Sequence, residues 1–145
     1  MEKQEASMKK VTEELVNEIT QGKSVAEYLA SNRGEFLDIP LSAHLKELLQ
    51  KKGMRVSQAA DKSNKGEYIY QVFRGIKNPG RDVVLCIALA MKLDLEETQH
   101  LLRIGRMACL DARNKRDSIV IFGIARGISV VEVNDILYEF GEECL

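Results

Sequence analysis

Residues 57–75 read SQAADKSNKGEYIYQVFRG, and their punctuation decides the fold. Ser57 is a candidate N-cap for a short helix that carries Ala59 and Ala60. A tight connection around Ser63 and Asn64 follows, then a second helix over residues 65–73, closed by Gly75. Upstream, Leu41, Leu45, Leu48 and Leu49 share one face of a helix over residues 41–52, with Gly53 as its stop. Downstream, Asn78 and Pro79 form a turn dipeptide ahead of residues 81–92, which are apolar enough to be a central buried helix. Asp94 and Glu97 make a capping box that opens a further helix toward Ile104.

The flanks are helical as well. Met8, Val11, Leu15, Val16 and Ile19 recur at helical spacing among charged residues, which gives an amphipathic helix over residues 7–20 closed by Gly22. Ser24 and Glu27 form a second capping box before a short helix that runs to Asn32, and residues 35–40 read as a linker. At the other end, residues 116–126 form a helix with Gly127 as its cap. Ser129 and Glu132 box the start of the next helix, which carries Val133, Ile136, Leu137 and Phe140. The β-branched run at residues 119–122 is the one place a strand is conceivable, and the helical signals around it favour helix. The expected fold class is therefore all-α. Its expected parts are an N-terminal helical appendage over residues 1–40, a central domain over 41–105, and a helical hairpin over 106–145 on the core or at a dimer interface.

Charge is distributed unevenly. The net charge is −1, yet residues 41–81 hold nine Lys/Arg (Lys46, Lys51, Lys52, Arg55, Lys62, Lys65, Arg74, Lys77 and Arg81) against Glu47, Asp61 and Glu67. Residues 1–40 and 82–145 are both net acidic. A local cationic excess suits a phosphate-binding face, because each neutralised phosphate releases counterions; a solvated lysine-rich surface accounts for the charge alone equally well. The three cysteines, Cys86, Cys109 and Cys144, are odd in number and far apart, so neither a zinc site nor a disulfide framework is expected. Cys86 lies in an apolar run and reads as a small buried hydrophobe. No signal peptide or long apolar run is visible, so a cytoplasmic protein without a membrane partner is expected.

Taken as a unit, residues 41–93 resemble the five-helix DNA-binding domain of the lambda-repressor and Cro-like (XRE) helix-turn-helix family. The likeness rests on Leu45, Leu48 and Gly53; Ser57, Ala59 and Ala60; Ile69; Phe73, Arg74 and Gly75; Lys77, Asn78 and Pro79; and Leu85, Ala88, Leu89, Ala90, Leu93 and Asp94. It implies that the alanines allow two helices to cross closely and that Ile69 pins the helix over residues 65–74 against them. That helix would then be the recognition helix. Its outward set would be Lys65, Gly66, Glu67, Tyr68, Tyr70, Gln71 and Arg74, with Gln71 suited to adenine and Arg74 to guanine. Lys77 and Asn78 fall where the family touches the phosphate backbone, Ser57 and Gln58 open the preceding helix with free amides for a phosphate, and Arg55 adds charge beside them. Tyr68 and Tyr70 lie about 200° apart around a helix, so one of the two belongs to the core.

The resemblance implies a transcriptional regulator that binds double-stranded DNA as a homodimer, with no cofactor. Two departures, a connection between Ala60 and Gly75 one residue shorter than usual and the carboxylate of Glu67, motivate the alternative of a protein-interaction adaptor or antitoxin-like module. Such a partner would engage the N-terminal or C-terminal helices. His44 and His100 stand apart from other metal-ligating residues and read as surface or satisfied imidazoles. Residues 113–116, with Arg113, Lys115 and Arg116, read as solvated surface. No phosphate loop, catalytic triad or paired carboxylate in a recognisable setting is present, and catalysis is not expected.

Overall fold

The computed structural model describes residues 10–36 and 39–145. Among them the regular structure is helical and contains no strand: α1 (Thr12–Gln21), α2 (Val25–Ser31), α3 (Leu41–Lys52), α4 (Val56–Ser63), α5 (Tyr68–Phe73), α6 (Arg81–Ala90), α7 (Leu95–Ile104), α8 (Lys115–Arg126) and α9 (Val130–Glu139), with one 3-10 turn at Arg33–Glu35 after α2. The chain divides into two compact units at the boundary between Asp38 and Ile39.

In the first unit, the expected helix start at residues 7–9 lies outside the described residues. Val11, which precedes α1, and Val16 and Ile19 within it are exposed. Ser24 Oγ accepts the Glu27 amide at the head of α2, and Asn32 ends it. Asn32 is the one buried residue among the described residues of this unit. Its amide nitrogen donates to Glu18 Oε1 at 2.9 Å, and its Oδ1 accepts from Lys10 Nζ at 2.7 Å.

The second unit is built around α6. Val84 through Leu89 are buried side by side, so this helix has no solvent face along most of its length. Helix α3 buries Leu45, Leu48 and Leu49, as its leucine spacing predicts, and contacts α5 and α7. Helix α4 lies on both α5 and α6, and its buried residues are Ala59, Ala60 and Ser63. The hairpin α8–α9 packs on α6 and α7 and extends the same apolar cluster through Val120, Ile124, Val130, Val133 and Leu137. Residues 119–122 are helical. Gly123 sets how closely the hairpin closes: a Cβ there would stand 2.4 Å from Val133 Cγ2, far inside contact distance.

Four local expectations are corrected. Helix α4 is capped at Arg55 rather than Ser57, because Gln58 Oε1 accepts the Arg55 amide at 2.8 Å and closes the end from inside the first turn. Helix α5 begins at Tyr68 rather than Lys65, because Asn64 (φ 65) and Gly66 (φ 60) both adopt left-handed backbone, which interrupts a helix. Helix α6 ends at Ala90 rather than Lys92, since Lys92 turns left-handed at φ 57. Arg116 is not solvated surface. It forms two parallel bonds to Asp82, each 3.0 Å, and donates to the carbonyls of Glu143 and Cys144 at 2.8 and 3.0 Å. In exchange, Arg81 next to Asp82 forks onto Asp117 next to Arg116, at 3.0 and 2.8 Å. A fork of five donors suits both jobs at once, holding a carboxylate and two carbonyls in one plane.

Candidate nucleic-acid interface

The face in question starts at the bend between α4 and α5. Ser63 is buried; its hydroxyl donates to the Ala60 carbonyl at 2.9 Å and accepts the Lys65 amide at 3.1 Å, which fixes the chain as it leaves α4. The left-handed turn through Asn64 and Gly66 then re-aims the backbone into α5. Ile69, Val72 and Phe73 anchor α5 in the core, each at most 2% exposed. With that side buried, Glu67, Gln71 and Arg74 line the opposite side at helical spacing, and all three are exposed.

The end of α5 carries the loop residues back to it. The Gly75 amide donates to the Val72 carbonyl at 3.1 Å and the Ile76 amide to the Gln71 carbonyl at 2.9 Å, the paired bonds of a Schellman motif. The Lys77 amide reaches the same Gln71 carbonyl at 3.3 Å. Lys77 and Asn78 are therefore held beside the last turn of α5, exposed, while Pro79 is buried under them. Ile76, 64% exposed between Arg74 and Lys77, is a residue of this surface that sequence reasoning passed over. Its signal was a branched apolar side chain directly after the helix-closing Gly75.

The other named residues fall as follows. Tyr68 and Tyr70 are both half-buried and both rest on the core, so neither is simply in or out. Lys65 is half-buried in the bend, and Gly66 is exposed there. Arg55 is exposed at the head of α4, whereas Ser57 and Gln58 are half-buried within its first turn. The amides of Gln58 and Ala59 are bonded to the Arg55 carbonyl, and the Gln58 side-chain oxygen is engaged as well.

Electrostatics sort the nine cations of residues 41–81. Lys51 and Lys52 both reach the Glu97 carboxylate, at 3.3 and 3.0 Å, and Arg81 is held by Asp117. Lys46, Arg55, Lys62, Lys65, Arg74 and Lys77 form no ion pair among the described residues. Apart from Lys46 on α3, the unpaired charge thus runs from the head of α4 through α5 to the loop behind it. This arrangement can bind polyanions: flexible cations flank a short helix whose exposed side chains carry amide and guanidinium donors.

Among the described residues no group of three His, Cys, Asp or Glu could hold a metal ion, and no helix is long and apolar enough to cross a membrane. His44 and His100 are not isolated from each other. Their rings stack at 5.0 Å between α3 and α7, and burial lowers both pKa values. Searches of protein-family profiles, of curated proteins and of solved structures return no match to the chain.

Proposed function

We propose that the chain is a sequence-specific double-stranded DNA-binding regulator of the lambda-repressor and Cro-like class, with α3–α7 as its five-helix domain and α4–α5 as its helix-turn-helix. The observation that carries this reading is the stripe Glu67, Gln71 and Arg74 on α5, exposed opposite a buried Ile69, with Lys77 tied by its amide to the same helix. In a major groove, Gln71 would pair with the N6 and N7 edge of adenine and Arg74 with O6 and N7 of guanine. Lys77, Asn78, Arg55 and Lys65 would contact phosphates on either side, and Glu67 would accept from a cytosine amino group or exclude sequences that bring a phosphate near it. The short α5, six residues long, concentrates base reading on Gln71 and Arg74, with the bend at Lys65 and Gly66 serving as backbone contact.

Selection of bound fragments from a random duplex pool tests this. Convergence on a half-site containing adjacent adenine and guanine, lost when Gln71 and Arg74 are replaced by Ala, is the expected result. An unenriched pool at low salt overturns it. In that case the exposed Glu67 carboxylate favours the same fold acting as an adaptor that binds protein.

A further inference from the structure

The α9 surface offers a separate inference, independent of whether α5 reads DNA. Val131 and Tyr138 are 57% and 81% exposed on one side of α9, two turns apart. Val131 lines a groove with the apolar residues Leu89, Ala90 and Val130, and the polar part of its lining is Lys62 and Lys92 together with Asp61, Asn64 and Ser129. Lys92 is already oriented, because its ammonium donates to the Gly127 carbonyl at the end of α8. The far end of the same helix side is acidic, with Glu139 exposed next to Tyr138.

We propose that this groove receives α9 of a second copy of the chain, the two helices running antiparallel about a two-fold axis near Asn134 and Asp135. Val131 and Tyr138 lie equally far on either side of that axis. The rotation therefore brings the second copy's Tyr138 over Val131 and into the groove, and its Glu139 toward Lys62 and Lys92. Each copy supplies both plug and socket, which is the self-complementarity that a closed two-fold interface requires. A large aromatic ring that covers an apolar floor inside a polar rim is also the usual make-up of the energetic centre of an interface, and in this rim two lysines outnumber the single carboxylate of Asp61. Asp135 is the one acid this pairing leaves near the axis, facing its own copy.

Sedimentation equilibrium of the full chain provides the test, with far-ultraviolet circular dichroism to show that each variant remains helical. The wild type is expected to be a dimer at micromolar concentration. Tyr138→Glu should weaken it at least about tenfold, and Asp135→Asn should tighten it. Lys62→Glu should weaken association, and adding Glu139→Lys to it should recover most of the loss. A wild type that stays monomeric, a dimer indifferent to Tyr138→Glu, or a double reversal that recovers nothing overturns the proposal.

Discussion

Arg81 and Asp117 meet through two parallel hydrogen bonds, Nη1 to Oδ1 at 3.0 Å and Nη2 to Oδ2 at 2.8 Å, and their chain neighbours Asp82 and Arg116 repeat the exchange in the opposite sense. The head of α6 and the head of α8 are thereby locked to each other, with the Arg81 guanidinium also holding the Ala108 and Cys109 carbonyls at 2.9 and 3.2 Å. Asp117 has only 8% of its side chain exposed. Arg81→Leu strands that carboxylate and should lower unfolding stability by about 3 kcal/mol in urea titration. Arg81→Leu with Asp117→Leu should recover part of it, because the stranded charge is gone. A single substitution that leaves the midpoint in place would refute the structural role assigned to this pair.

Acid acts in two windows. Burial is the main cause that lowers the His44 pKa from 6.5, with Lys51 adding to it; burial also leads for His100, followed by the neighbouring His44 and Arg103. The unfolded chain therefore binds more protons than the folded one below about pH 6.5, and stability falls as pH drops from there toward the depressed folded values. The carboxylates follow at lower pH. Burial opposes the Asp117 charge, yet the Arg81 fork and the Asp111 amide outweigh it and hold the pKa below the ordinary 3.8. Its contribution is present above that value and disappears as pH falls through the folded pKa. Urea midpoints measured from pH 7.5 to 5 should decline in the wild type and decline less in His100→Asn.

Gly123 should not tolerate even a methyl group. Since a Cβ there would meet Val133 Cγ2 at 2.4 Å, Gly123→Ala forces α8 and α9 apart and should cost about 1–3 kcal/mol. Combining it with Val133→Ala removes the colliding atom, and the double variant should lose less than the sum of the two single changes. Simple additivity in thermal or urea unfolding would count against the close approach.

Thiol chemistry separates Cys86 from Cys144. Burial pushes the Cys86 thiol up to about 11, so almost no thiolate exists at neutral pH. Cys144 is exposed. A chromogenic disulfide reagent should label Cys144 rapidly in the native protein and Cys86 only on unfolding. Rapid native modification at Cys86, located by mass spectrometry, would contradict its place at the centre of α6.

Much of this architecture was legible in local sequence. Gly53 and Gly127 close α3 and α8, and the boxes at Asp94 with Glu97 and Ser129 with Glu132 open α7 and α9, because caps are chemistry between residues three apart. The burial of Cys86 likewise followed from its apolar run, and that of Ile69 from the resemblance. The start of α4 was misread because Gln58 closes it without any hydroxyl at the cap, and the start of α5 because Asn64 and Gly66 turn left-handed together. Arg81 and Arg116 were misread for a different reason. Their partners Asp117 and Asp82 are 36 and 34 residues away, and nothing in a local window marks one arginine as structural and another as free. The six unpaired cations of residues 41–81 emerged only once Arg81, with Asp117, and Lys51 and Lys52, with Glu97, were set aside.

The salt dependence of DNA binding tests the α5 face most directly. Fluorescence anisotropy on a selected duplex, titrated over a range of salt for the wild type, Lys77→Ala and Arg74→Ala, gives the slope of log affinity against log salt for each. Lys77→Ala should weaken binding to all sequences about equally and reduce the slope by about 1. Arg74→Ala should cost about 1–3 kcal/mol on the selected site and blur preference at one base pair. Three identical slopes with unchanged affinities would contradict the assignment of this face to DNA.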